Sequence, residues 1–95
     1  MKFEADEEKY LHWLDTFPKG FVMNTYRRPS TSYAVLHRAK CTSLNRKYSS
    51  PGAYTEGGYI KFCAETIEEL RTTLRLETGL SNAKFSKLCS KCHPL

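Results

Sequence analysis

Apolar residues recur along this chain with two different periods. In residues 3–16, Leu11 and Leu14 share a face with Tyr10 and Phe17 beside them, the spacing of an amphipathic helix. Glu4, Asp6, Glu7 and Glu8 fall in its first turns, where the helix dipole favours negative charge. Pro18 and Gly20 end it. From Phe21 the period becomes two. Phe21, Met23 and Thr25 fall on one side and Val22, Asn24 and Tyr26 on the other, which predicts a strand over Phe21–Arg27. Arg28 to Ser32 supply turn residues, and Tyr33–Arg38 is a second strand, so the two form a hairpin with a long turn. Tyr59–Ala64 is a third strand. Thr66 followed by Glu69 is a capping box. It opens a helix that runs to Thr78, with Ile67, Leu70 and Leu74 on one face, and Gly79 stops it. Residues 42–58, rich in Ser, Gly, Pro and Asn, are a loop, and so are residues 81–95. A loop as long as 42–58 is uncommon unless it is functional or anchored.

The pattern therefore predicts an α+β fold: an N-terminal helix, a small antiparallel sheet of three strands, one central helix and a C-terminal metal-binding knuckle. With 95 residues the chain makes one domain, residues 1–95, in which 1–18 form the N-terminal helical segment and 19–95 the core. A chain of this length buries a smaller share of its surface than a larger domain, and small scaffolds often add a disulfide, a metal or a partner. Its aromatic content of 13% argues against disorder. No stretch approaches the roughly 18 apolar residues of a membrane span, and the acidic start MKFEADEEKY is unlike a secretory signal. A cytoplasmic location without a membrane partner is the expectation.

That expectation bears on the four cysteines. In a reducing compartment metal ligation is favoured over disulfides. Cys89 and Cys92 stand two residues apart, a spacing that aims two sulfurs at one ion. A redox pair has the same spacing, but such a pair usually opens a helix, and Pro94 stands two residues behind this one. His37 and Cys41, separated by three residues at the exit of a strand, can reach the same ion. Three thiolates and an imidazole are a standard set for structural zinc. His93 is a lesser candidate for the fourth position, and Cys63, beside Phe62 on a strand, reads as a core residue.

These residues resemble the metal-binding domain of the bacterial alkylation-repair protein Ada and its relatives that do not transfer methyl groups. The segments that carry the resemblance are Val35-Leu36-His37-Arg38-Ala39-Lys40-Cys41, Tyr59–Ala64, Glu68-Glu69-Leu70, Gly79 and Cys89-Ser90-Lys91-Cys92-His93-Pro94, covering residues 33–95. The resemblance implies zinc held by His37, Cys41, Cys89 and Cys92, in a domain that contacts DNA. It departs from the family where methyl transfer would occur. The accepting position is a cysteine in Ada and His37 here, and an imidazole lacks the reactivity of an activated thiolate. The segments 42–58 and 80–88 are also longer than the family shows.

The net charge of +5 is concentrated in the middle of the chain. Residues 16–55 hold Lys19, Arg27, Arg28, Arg38, Lys40, Arg46 and Lys47 and no acid, with Tyr26, Tyr33, Tyr48 and Tyr54 interleaved. Basic groups neutralise phosphates and tyrosines stack on exposed bases. Arg27, Arg28, Arg38, Lys40, Arg46 and Lys47 are accordingly the candidate nucleic-acid contacts. The leading expectation is a non-catalytic zinc module that binds nucleic acid, DNA above all. A small protein-interaction or regulatory module, encoded by a phage or mobile element, is the alternative. Catalysis has little to support it: no Ser/His/Asp set, no phosphate-cradling glycine loop and no acidic pair beside a metal.

Overall fold

The computed structural model describes residues 1–4, 7–41, 59–90, 92 and 94. The long loop expected over 42–58, with Arg46, Lys47, Tyr48 and Tyr54, lies outside the described residues, as does His93. In chain order the elements are β1 (Lys2–Phe3), α1 (Glu7–Thr16), β2 (Phe21–Ser30), β3 (Tyr33–Arg38), β4 (Tyr59–Ala64), α2 (Ile67–Thr78) and β5 (Lys87–Leu88). The strands form one sheet in the order β1-β4-β2-β3-β5. All neighbours are antiparallel except β3 and β5, which run parallel.

Local chemistry sets the boundaries of α2 where the sequence places them. Thr66 has extended backbone, and its hydroxyl accepts from the Glu69 N–H at 3.2 Å. At the other end Gly79 takes φ 72°, and its N–H bonds to the Arg75 carbonyl, a left-handed stop that suits glycine. Leu70 and Leu74 are buried from this helix against Met23, Ala34, Leu36, Ile60 and Phe62 of the sheet. Alternation explains the grouping. Ala34 and Leu36 face α2 from β3, while Tyr33, Val35 and His37 face the other side.

That other side carries a second core. Tyr10, Trp13 and Leu14 of α1 cluster with Phe3, Val22 and Cys63 and with Ala39, Cys41 and Cys89. Trp13 and Phe17 stack with ring centroids 5.1 Å apart. Helices thus pack on both faces of the sheet: α2 lies over β2 and β4 on one, and α1 covers part of the other.

Four expectations change. The first helix begins at Glu7, because Phe3 pairs with Lys61 in β1 and is buried there; tertiary pairing overrides the helical pattern at that point. Within α1 the buried face is Tyr10, Trp13 and Leu14, and Leu11 is exposed. The sheet has five strands, since β1 and β5, two residues each, are too short to show a period. The hairpin also differs in detail. β2 runs on to Ser30, so the turn is the two residues Thr31 and Ser32 and not the long one expected; the extra residues are absorbed where the register with β3 shifts between Thr25 and Ser30, an interval in which Pro29 has no N–H to offer the ladder.

Candidate metal centre and the open sheet face

His37 leaves the end of β3, and a turn closed by the Cys41 N–H to the Arg38 carbonyl (3.0 Å) brings Cys41 back beside it. Ala39 is pinned in that turn by its N–H to the Gly20 carbonyl (2.9 Å). From the other half of the site, β5 lies along β3 with Val35 opposite Lys87 and Leu36 opposite Leu88. The Cys89 N–H then bonds to the Leu36 carbonyl at 2.9 Å. The strand the sequence did not reveal is what delivers the knuckle to the hairpin.

The result is a cluster of four donors, one each from His37, Cys41, Cys89 and Cys92, all within 4.8 Å of one another. The Cys41 and Cys89 sulfurs are 3.7 Å apart. A disulfide would need about 2.05 Å. Two thiolates on one tetrahedral zinc, each at about 2.3 Å, stand about 3.8 Å apart. The backbone is arranged for charged sulfur as well: the Arg38 N–H points to Cys92 Sγ at 3.2 Å, and Arg38 Nε donates to the Cys92 carbonyl at 3.0 Å. His37 Nδ1 is buried without a hydrogen-bond partner, a state that a buried ring nitrogen leaves on meeting an ion.

Electrostatics lead to the same conclusion. Burial, and then the neighbouring Cys41 and Cys89 thiols, push Cys92 up to about 12, with the Arg38 N–H acting in the opposite sense. A thiol raised in this way ionises readily only beside a cation, and a divalent ion supplies one. Burial, followed by the charges of Lys61 and Lys87, lowers His37 to about 4. Its ring is therefore neutral near pH 7, the form that binds metal. The donor set and spacing thus fit a zinc-type ion, and all four sequence-predicted ligands meet. Cys63 is apart from them, buried in the α1 core and raised to about 12 by desolvation.

Among the described residues the basic candidates are not gathered into one patch. Arg27 and Arg28 are exposed near the hairpin turn. Arg38 and Lys40 are exposed beside the metal cluster, at the opposite end of the hairpin, where Arg38 braces the knuckle. Beside Arg27 and Arg28, however, the sheet displays an aromatic group that the sequence reading saw only in part. Tyr26, Tyr33 and Tyr59 form a triangle with ring centroids 5.0, 5.8 and 5.4 Å apart. Tyr26 and Tyr59 are 42% and 44% exposed. Tyr59 was legible only as the first residue of a strand. Its place comes from the register, Tyr26 opposite Tyr59.

The fold and this site define a small α+β domain built around a His/Cys cluster of the zinc-binding kind. Set against protein-family models, curated proteins and solved structures, the chain matches none. The Ada resemblance gains no support from them, and the metal assignment rests on the geometry of the cluster. Among the described residues no helix is long and apolar enough to cross a membrane.

Proposed function

We propose that this chain is a structural-zinc module that binds nucleic acid, DNA included, and has no catalytic activity of its own. The observation that carries the binding proposal is the sheet face on which Tyr26, Tyr33 and Tyr59 cluster, with exposed Arg27 and Arg28 following Tyr26 in the chain. Aromatic rings on a sheet surface give bases a stacking platform, and flanking cations neutralise the backbone. Zinc is structural in this proposal because four protein donors fill a tetrahedron, whereas catalytic zinc keeps a position for water. The metal then holds β5 and the hairpin together and fixes the face.

Titration of labelled single-stranded and duplex DNA at two salt concentrations tests the proposal. Binding that weakens steeply with salt supports it. Absence of binding at low salt, or binding indifferent to salt, refutes it. A protein-interaction role would draw on Leu76, Leu80 and Leu88, which are exposed, but singly exposed leucines are ordinary on protein surfaces. A stoichiometric protein partner that survives nuclease treatment would favour that alternative.

A further inference from the structure

Next to the tyrosines the same sheet face sinks into a groove of about 680 Å³, within the range of roughly 300–1,000 Å³ typical of small-ligand sites. One rung of the sheet forms its floor. Lys61 is opposite Asn24, Asn24 is opposite Val35, and Val35 is opposite Lys87. Residues paired in this way share a face, so a lysine stands on either side of the floor. His37 and Cys89 of the metal cluster close one end, and Tyr33 stands at the other.

The groove is rich in donors and poor in acids. Among its described lining residues there is no Asp or Glu. Lys61 is only 6% exposed, an expensive place for a cation because it loses hydration there. It is held by Asn24, whose Oδ1 accepts from Lys61 Nζ at 2.5 Å, while Asn24 Nδ2 donates to the Tyr33 hydroxyl at 3.2 Å. That chain of bonds leaves the proton of the Tyr33 hydroxyl to donate onward. Ser86 is similar: its Oγ accepts from the Ala34 N–H at 2.7 Å, so its own proton also remains a donor. Two ammonium groups and two hydroxyl donors, with no carboxylate among the described lining residues, suit an anion. Aromatic rings at the rim suit a flat ring attached to that anion.

We infer that this groove is a nucleotide subsite for single-stranded nucleic acid, with a phosphate seated between Lys61 and Lys87 and the attached base stacked at Tyr33. Tyr26 and Tyr59 take the neighbouring base. The inference rests on the nucleic-acid function proposed above and adds the strand form and the place. A duplex keeps its bases paired and stacked on one another, so it cannot give them to the tyrosines.

The test uses the metal-loaded full chain with a labelled oligothymidylate and, separately, the same strand in a duplex. Metal content and circular dichroism first establish that each variant is folded. The expected result is tighter binding of the single strand. Lys87→Gln, at an exposed position of a two-residue edge strand, weakens it about tenfold and lowers the salt slope by about 0.7, the value of one single-strand phosphate contact. Tyr26→Leu weakens it by roughly 5- to 150-fold, the range for loss of one stacked base. Lys61→Gln repeats the Lys87→Gln effect if it folds, and Lys87→Gln decides the matter if it does not. Equal affinity for duplex and single strand, with Lys87→Gln and Tyr26→Leu silent and the double variant Arg27→Gln/Arg28→Gln defective, overturns the groove assignment and leaves the proposed function standing. No binding of either probe at low salt overturns both.

Discussion

Removing the metal is the perturbation whose size follows most directly from the fold. The cluster joins Cys41 to Cys89, which are 48 positions apart in the chain. Treated as a cross-link, a closure of that length withdraws about 4 kcal/mol of conformational freedom from the unfolded chain. A domain of this size has a total stability of about 5–15 kcal/mol, so a metal held by the cluster would contribute a large share. At 4–8 °C per kcal/mol, the melting temperature should fall by roughly 16–32 °C. The assay pairs thermal denaturation by circular dichroism with native mass spectrometry, before and after a zinc chelator. Cys89→Ser serves as the ligand variant, and Cys63→Ala, a buried cysteine outside the cluster, is the control. One zinc per chain is expected in the untreated protein and in Cys63→Ala, and none in Cys89→Ser. A chelated protein that has lost its ion yet melts within about 3 °C of the untreated one would refute the argument that the cluster staples the fold.

Other outcomes follow from single features. Gly20→Ala would place a methyl group 2.6 Å from the Trp13 ring and 3.0 Å from the Ala64 carbonyl; overpacking of that kind costs about 1–3 kcal/mol, measurable by urea denaturation. Gly79→Ala forces a side chain into the left-handed cap at φ 72° and should cost about 1–2 kcal/mol, although nothing lies within 4 Å of the new methyl group. Cys63 gives a pH signature. Its thiol ionises near 9 in the unfolded chain and near 12 in the folded one, so the unfolded state loses its proton first. Stability therefore falls as the pH rises from 9 towards 12. In Cys63→Ala that part of the alkaline decline disappears from the pH dependence of the urea midpoint; a curve parallel to wild type would contradict the assignment.

The parts of this molecule that were legible in the sequence are those fixed by near neighbours. Thr66, Glu69 and Gly79 mark α2 because caps act within one helical turn. Met23, Leu36 and Ile60 fall on strands because alternation is a local property. The cluster of His37, Cys41, Cys89 and Cys92 was legible for a different reason: few arrangements of His and Cys suit a tetrahedral ion, so type and spacing carry most of the information. What stayed hidden depends on distant pairing. Phe3 joins the sheet only because β4 is there to receive it, and Lys87–Leu88 becomes a strand only because β3 lies alongside. The tyrosine triangle needed the β2–β4 register, which a shift of one residue would have turned to the opposite face.

The sheet's two borders give the metal a second consequence, for solubility. Each outermost strand is only two residues long, a common way of keeping a sheet from recruiting further strands. β5 shields the outer border of β3 through two register positions, helped by bonds from Ser86 and Cys89 to Ala34 and Leu36. Cys89, the residue after that border strand, is one of the cluster's four donors. Without the ion, β5 loses its anchor at Cys89 and keeps its backbone and side-chain bonds to β3; its release bares the backbone of Ala34, Val35 and Leu36, an apolar stretch able to pair with a second chain. Loss of zinc would then appear as self-association before complete unfolding, with the stripped protein aggregating at a concentration where the loaded one stays monodisperse.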